Sequence, residues 1–253
     1  MRTRTPWGAA ALAVTALALA NPSAHAATVW NVNIGSEITT SDNFVGAAPE
    51  NTVPNSFWNS AVPTDPFTSF AMALADSTGT ASTATLTLTG TVAIGYAGGW
   101  AGITGPDIFD SYIKTTGNTT PFNMTIGGLS SSTTYDLIVY SDWFWKGNDW
   151  FPVTQIVGSG LTGTGALDQI STGTNGGVPG LVEDTDLGQN GTTEGNWLRI
   201  KGLTPNGSGN LGFSMGGRNS AFSGFQLVEA IPEPSSSVLL GGLGVFALLR
   251  RRR

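Results

Sequence analysis

The sequence predicts an all-β fold, with an antiparallel β-sandwich over residues 27–230, and three observations support this prediction. The chain contains 35 glycines among 253 residues and is rich in Thr, Ser and Asn, a composition that favours strands and turns over helices. Residues 80–96 alternate apolar side chains with threonines, which is the period of a strand with one buried face. Similar short segments recur between Gly, Pro and Asn turns, which is typical of a sandwich rather than of βαβ units.

The first 26 residues have the layout of a secretory signal peptide. Two arginines precede an apolar stretch over residues 7–20, and Ala24 and Ala26 form an A-x-A cleavage site. We therefore expect an N-terminal signal helix that is removed after Ala26. An uncleaved anchor helix is the alternative, which the shortness of the apolar stretch disfavours.

Cleavage at this site would have a chemical consequence. His25 is the only histidine, and the chain has no cysteine, so the mature protein would have neither residue type. This excludes Ser-His-Asp and Cys-His nucleophiles, zinc sites with His or Cys ligands, haem and iron–sulfur ligation, and disulfides.

The charge of the mature domain argues against nucleic acid as a partner. Removing Glu233 from the 17 acidic residues, and Arg2, Arg4 and the four terminal arginines from the 11 basic ones, leaves 16 and 5, or about −11. Such a domain would repel phosphate backbones and anionic lipids, and it is compatible with solubility outside the cell and with cation binding.

The strands follow from local patterns. In residues 28–34, Trp30, Val32 and Ile34 alternate with Val29 and two asparagines, which predicts a half-buried strand. In residues 80–96 we expect Leu86, Leu88, Val92 and Ile94 to face inward and the threonines outward, with a bulge or bend at Gly90. Residues 67–75 are the one place where a short helix would fit. Further strands are predicted over residues 121–126, 134–140, 153–157, 196–201, 211–215 and 223–228.

The last 23 residues, Ile231–Arg253, contain three parts in a fixed order. Pro232, Glu233 and Pro234 predict an extended, accessible segment, because each proline fixes φ and lacks an amide donor. An apolar run over residues 238–249 follows. It is short for a membrane span, although the preceding serines and snorkelling arginines would lengthen it. A positive stop at the membrane closes the chain, formed by Arg250, Arg251, Arg252 and Arg253.

This order of motif, short apolar helix and arginine cluster resembles the PEP-CTERM sorting signal of exported bacterial proteins. The resemblance implies that Pro232, Glu233 and Pro234 are read by an exosortase, an integral-membrane processing enzyme. It further implies transient anchoring of the short helix in the inner membrane, followed by delivery to the cell surface or to an exopolysaccharide matrix such as a biofilm. It describes an address and not an activity.

Several phrases of the domain resemble a recurrent jelly-roll, galactose-binding-like sandwich found in PEP-CTERM cargo. They imply that residues 27–230 adopt this type of fold. The phrases are Val45-Gly46-Ala47-Ala48-Pro49, Phe57-Trp58-Asn59, Gly128-Leu129 leading to Tyr135 through Ser141, and Gly224 through Leu227.

The loop over residues 141–152 is the leading candidate for a ligand site. It concentrates aromatic side chains among carboxylates and an amide, which suits sugar rings with apolar faces and hydroxyl edges. The alternative is that its tryptophans plug one end of the sandwich. The candidate residues are Asp142, Trp143, Trp145, Asn148, Asp149 and Trp150.

An acidic cluster is a candidate calcium site. Glu183, Asp184 and Asp186, joined by Asp168, would supply the hard oxygen ligands that Ca²⁺ prefers. A solvated acidic loop is the alternative, since the spacing of a calcium-binding loop is absent. No other cofactor is expected.

Two functions remain open. The first is a non-catalytic surface or matrix protein whose sandwich binds extracellular polysaccharide or a neighbouring protein, and the second is a polysaccharide hydrolase with two carboxylates. We favour the first and assign no catalytic residue. The glutamates lie in separate segments, and no motif pairs them at about 5 or 9 Å.

Overall fold

The structure, a computed structural model, arranges the strands of the domain in two sheets. It describes residues 27–34, 56–63, 67–96, 108, 111–115, 121–141, 150–161, 164–168, 181, 183–185, 195–216 and 221–230. Apart from Ala27, these lie within one compact unit, Thr28–Ala230. Their strands are β1 Val29–Ile34, β2 Asn59–Ala61, β3 Phe67–Ala75, β4 Ala81–Tyr96, β5 Ser111–Thr115, β6 Phe122–Gly127, β7 Tyr135–Tyr140, β8 Trp150–Val157, β9 Thr164–Asp168, β10 Trp197–Leu203, β11 Leu211–Met215, β12 Ala221–Phe222 and β13 Gly224–Glu229.

The smaller sheet has five strands in the order β10-β7-β13-β1-β2. The larger sheet has eight, with the path β12-β5-β4-β6-β11-β8-β9 and β3 paired to β4 outside that path. The pairing of β1 with β2 is parallel, and the other strand pairs of the two sheets are antiparallel. The described part of the domain is therefore all-β, with antiparallel sheets.

The hydrophobic core lies between the two sheets. Val32, Leu137 and Phe225 of the five-stranded sheet belong to the same buried cluster as Leu88 and Phe213 of the eight-stranded sheet. Truncating a buried leucine or phenylalanine in such a core costs about 2–5 kcal/mol, so this layer holds the sheets together.

Strand β4 confirms the pattern read from the sequence. Leu86 and Leu88 are fully buried, Thr85 is exposed and Thr87 is half-buried, while the side chains of Val92 and Ile94 lie outside the described residues. Gly90 has φ 134°, and the register with β3 shifts at this point. Before Gly90 the strand pairs with β6 through residues 85–89, and after it with β5 through residues 92–96. The glycine thus marks a bulge at which β4 changes partner.

The expectation of a short helix over residues 67–75 is wrong, because this segment forms strand β3. Phe67 and Phe70 are three residues apart, a spacing that suits one face of a helix. In the structure the segment is a strand, and the register shift between Phe67 and Ser69 lets both phenylalanine side chains pack against the hydrophobic core. Pairing with β4 therefore overrides the local pattern.

The expectation that β1 is half-buried is also wrong. All six residues of β1 are buried, including Asn31 and Asn33 on the face that points away from the core. The alternation is present, but both faces of this strand are covered.

The two predicted terminal helices fall in segments that lie outside the described residues. The signal segment of residues 1–26 and the tail of residues 231–253, with the sorting residues Pro232 to Pro234 and Arg250 to Arg253, lie outside the described residues. Within the described ranges there is no α-helix, and no helix there is long and apolar enough to cross a membrane.

The strands define two ends of the sandwich. At the first, which we call the tail end, Thr28 and Ala230 lie beside tight turns over residues 76–80, 128–134 and 204–210. At the opposite end, which we call the loop end, β7 finishes at Tyr140 and β8 begins at Trp150. The segment that joins these two strands is the predicted ligand loop.

Candidate functional site

Most of the predicted ligand residues lie outside the described part of the chain. This applies to Asp142, Trp143, Trp145, Asn148 and Asp149, whereas Trp150 is the first residue of β8. Within the segment 141–152, the described residues are Ser141 and residues 150–152, at the strand ends that carry the loop.

The start of the loop is tied to its neighbours by hydrogen bonds. The Ser141 amide donates to the Asn196 carbonyl at 3.0 Å, and the Ser141 hydroxyl donates to the Ala221 carbonyl. The Ser223 amide donates to the Tyr140 carbonyl at 3.0 Å. All five residues are buried, so the loop leaves the domain from a fixed point.

A layer of buried polar side chains extends from this point across the outer face of the five-stranded sheet. The Tyr140 hydroxyl donates to Gln226 Oε1, and Gln226 Nε2 donates to Asn31 Oδ1 at 2.8 Å. Asn31 Nδ2 in turn donates to the Phe57 carbonyl at 2.8 Å. These bonds join three strands to the segment before β2, and all three side chains are fully buried. Such networks fix one arrangement, because a buried polar group without its partner costs about 1–3 kcal/mol.

Trp58 and Ile108 are described residues that lie over this polar layer. Trp58 is buried, and its ring centroid lies 6.5 Å from that of Tyr140. Ile108 is also buried, and a Cβ placed on Gly224 would lie 3.3 Å from its Cδ1 atom and 2.3 Å from the Val32 carbonyl oxygen. Glycine at 224 therefore permits the close approach of β1 and of the covering side chain.

Asn59 connects the two sheets at the edge of the same region. Its Nδ2 atom donates to the Asn31 carbonyl at 2.9 Å and to the Ala75 carbonyl at 2.8 Å. Its Oδ1 atom accepts from the Ala75 amide at 2.8 Å. One side chain thus satisfies backbone groups of β1 and β3.

Beneath the loop end, four buried phenylalanines close the core. The Phe151 and Phe222 rings stack at 5.8 Å with 12° between their planes, and the Phe222 and Phe225 rings stack at 6.5 Å with 5°. Phe122 packs on Phe222 at 5.6 Å. These four phenylalanines therefore fill the interior of the sandwich at the loop end.

The structure brings two of the candidate residues together in the backbone. Trp150 of β8 and Asp168 of β9 are direct cross-strand partners, which places a ligand candidate beside a metal candidate in the backbone. Their side chains lie outside the described residues.

The acidic candidates Glu183 and Asp184 differ in their exposure to solvent. Glu183 is exposed, whereas Asp184 is only 2% exposed, and its amide donates to the Trp197 carbonyl at 2.8 Å. A Cβ on Gly195 would lie 2.2 Å from the Asp184 nitrogen, so this contact requires glycine there. Asp186 lies outside the described part, within which no group of three His, Cys, Asp or Glu residues stands close enough to hold a metal ion.

A partly buried ion pair lies on the outer face of the five-stranded sheet, away from the loop. Arg199 Nη2 is 2.8 Å from Asp136 Oδ2, and the Gly202 amide donates to Asp136 Oδ1 at 2.9 Å. The pair fixes the edge strand β10 to β7, so Asp136 has a structural partner.

Sequence reasoning did not identify Asn31, Asn59, Gln226 or Tyr140 as members of a buried polar layer. The only local signal was the pair of asparagines in β1, where exposed positions of a strand usually carry Thr or charged residues. Gln226 and Tyr140 belong to strands far along the chain, and only the antiparallel pairing of β13 with β1 and β7 joins them.

Comparison with known proteins identifies a sorting motif at the C-terminal end of the chain. Residues 230–253 match the PEP-CTERM protein-sorting motif. The motif implies export, association with the cell envelope and processing by an exosortase. No curated protein and no solved structure matches the chain.

Proposed function

We propose that this protein is a non-catalytic component of the cell surface or extracellular matrix that binds extracellular polysaccharide. Its sandwich is of the jelly-roll, galactose-binding-like type, and its short C-terminal helix anchors it transiently in the inner membrane before processing. The observation that supports the location in this proposal is the PEP-CTERM motif over residues 230–253, at the end of the compact unit Thr28–Ala230.

The geometry of the loop end supports a binding role for residues 141–152. The loop starts from the fixed backbone of Ser141, and a rigid base reduces the entropy lost when a loop binds a ligand. Four phenylalanines of the described strands fill the core beneath this end, which supports a ligand-facing role for Trp143, Trp145 and Trp150 over the alternative of an end plug. Asp142, Asn148 and Asp149 would then bond sugar hydroxyls while a tryptophan lies against a ring face.

The proposal includes Ca²⁺ as a second ligand. Asp168, Glu183, Asp184 and Asp186 would supply its oxygen donors, and the backbone pairing of Asp168 with Trp150 would place it next to the glycan loop. A binding experiment with and without Ca²⁺ decides whether the ion contributes.

The alternative function is a polysaccharide hydrolase with two facing carboxylates, for which Asp142 and Asp149 are the available pair in the loop. Hydrolysis of a bound glycan, abolished by Asp142→Asn or Asp149→Asn, would establish the enzyme and contradict the non-catalytic proposal.

The test is a glycan array and a matrix pulldown with residues 27–230, with and without Ca²⁺, on the wild type, Trp145→Ala and Trp150→Ala. We expect Trp145→Ala to weaken glycan binding with little loss of melting temperature. Truncating a packed end cap should instead cost about 3–5 kcal/mol. A large fall in melting temperature for both variants, without a selective loss of binding, would show that the tryptophans are core residues.

A further inference from the structure

The two termini of the domain meet at the tail end. The Glu229 amide donates to the Thr28 carbonyl at 2.8 Å, and the Ala230 amide donates to the Thr134 carbonyl at 2.9 Å. The last backbone hydrogen bond of the described domain is therefore made by the residue that stands two positions before Pro232.

This spacing limits how far the sorting motif can be held from the folded domain. Glu233 stands three positions after Ala230, and a fully extended chain spans at most about 3.3–3.6 Å per residue. A processing enzyme that holds Glu233 must therefore come within about 11 Å of Ala230. An enzyme of ordinary size cannot do so without meeting the turns beside Ala230, unless the end of β13 opens.

These turns place mostly hydroxyl side chains at the tail end, together with the Asp76 carboxylate. The turn over residues 130–134 is a run of serines and threonines, and Ser131 is exposed. At the same end, the Phe57 ring lies beside Gly79 of the turn over residues 76–80 and is 43% exposed, although the Phe57 amide is fixed to the Ser77 carbonyl at 2.8 Å. A hydroxyl-rich surface with one fixed, exposed aromatic side chain is suited to a protein partner, since aromatic residues are common anchors of interfaces.

We propose that the tail end of the folded domain, formed by Phe57 and the turns over residues 76–80 and 130–134, is a contact surface for the sorting enzyme. The enzyme recognises the motif together with this surface, and the single residue Ile231 between Ala230 and Pro232 enforces the contact. The inference rests on the exosortase pathway that the motif implies, and it is independent of glycan binding.

The experiment follows processing of the full chain in the exporting host by intact-mass measurement over time. Ser131→Arg adds a bulky cation to the surface, and Ser69→Arg makes the same exchange at an exposed position of β3, about 23 Å along the strand from the turn. Each variant is made with native spacing and with a six-residue Gly-Ser insertion between Ala230 and Ile231, which adds roughly 13 Å of flexible reach.

We expect Ser131→Arg to slow processing about tenfold at native spacing, and the insertion to restore the wild-type rate. Ser69→Arg should have no effect at either spacing. Phe57→Ser, which removes an anchor rather than adding bulk, should also slow processing at native spacing only. Thermal melts of all variants confirm that they fold.

Two outcomes would overturn the proposal. Wild-type processing of Ser131→Arg and Phe57→Ser would show that the enzyme acts before the domain folds or without touching it. An equal slowing with and without the insertion would show that the effect does not depend on contact at the tail end. Glycan binding by the same variants is measured in parallel, so that failure here is distinguished from failure of the proposed binding function.

Discussion

The tail end and the loop end of the sandwich are constructed differently. At the tail end the strands are joined by short turns whose hydrogen bonds are local, such as those from residues 78 and 80 to Asp76. At the loop end the fixed points are contacts between residues far apart in sequence, such as Ser141 with Ala221 and Tyr140 with Gln226. The turns of the tail end can therefore be read from local sequence, although Glu229 and Ala230 beside them bond residues far away in the chain. The fixed points of the loop end exist only when the whole domain is folded.

Two turns at the tail end show how local this structure is. Asp76 Oδ1 accepts from the amides of Thr78 and Thr80 at 2.9 and 3.0 Å, and Asn206 Oδ1 accepts from those of Ser208 and Asn210 at 3.0 and 2.9 Å. In both turns a glycine with positive φ precedes the last of these residues, at 82° for Gly79 and 74° for Gly209. The two turns therefore share one hydrogen-bonding pattern, in which the accepting side chain is a carboxylate at Asp76 and an amide at Asn206.

The comparison predicts that the largest losses of stability come from the interior of the loop end. Phe222→Ala removes the ring that contacts Phe122, Phe151 and Phe225, and should lower the free energy of unfolding by about 3–5 kcal/mol. Urea denaturation of residues 27–230 measures the change. A loss below about 1 kcal/mol would mean that the phenylalanine cluster does not close the core.

The second largest loss of stability should come from the buried polar layer. Gln226→Ala removes the acceptor of Tyr140 and the donor to Asn31 in a fully buried layer, and should cost about 2–4 kcal/mol. Gln155→Ala is the matched control. That side chain also makes two hydrogen bonds, to Val157 and from Leu161, but it is only partly buried, so the cost should be about 1 kcal/mol. Equal losses for the two variants would contradict the special role of the buried layer.

A glycine at the tail end should show a smaller effect. Gly128 has φ 73°, and a Cβ there would lie 2.0 Å from the Thr83 carbonyl oxygen, so Gly128→Ala should cost about 1–3 kcal/mol. Gly207→Ala, in a turn at the same end, meets no atom within 4 Å and should be close to neutral. Thermal melts compare the two, and similar melting temperatures would contradict the backbone geometry of the turn.

The smallest effect should be a pH dependence that distinguishes the two similar turns. Burial raises the pKa of Asp76, but hydrogen bonds from Thr78 and Thr80 outweigh it and lower the pKa below its ordinary value of 3.8. The folded-state pKa is thus depressed, so the contribution of Asp76 to stability is present above pH 3.8 and is lost as the pH falls through the folded-state value. Solvent screening keeps this contribution small.

Exchange of the two capping residues tests this directly. Asp76→Asn should flatten the acid limb of the stability curve, and Asn206→Asp should steepen it, when melting temperature is measured between pH 5 and pH 2. An unchanged acid limb in both variants would show that the turns do not depend on the charge of the capping side chain.

The same contrast explains how much of the molecule the sequence predicts. Strand β11 was predicted with the observed bounds, Leu211–Met215, and β4 with its bulge at Gly90, because alternation and glycine act locally. Strands β2, β5, β9 and β12 are short and depend on their partners, and they were not predicted. Likewise, residues 67–75 form strand β3 rather than a helix because they pair with β4.

The candidate site was predictable only in part. The concentration of tryptophan and acidic residues over residues 141–152 is visible in the sequence, and the strand ends place this segment at the loop end. Burial of Asn31 was not predictable, because the alternation of a strand does not reveal whether its outer face is covered. The partners of Asn31 lie in β13 and before β2, so that only the fold joins them.

Intact-mass measurement of the protein recovered from the native cell surface tests the central claim most directly. If the chain is exported and sorted through its tail, the N-terminus begins at Ala27 and the apolar segment and arginines of residues 238–253 are absent. Recovery of a surface form that still carries residues 238–253 would contradict the account, because the tail would then be a permanent anchor and not a sorting signal.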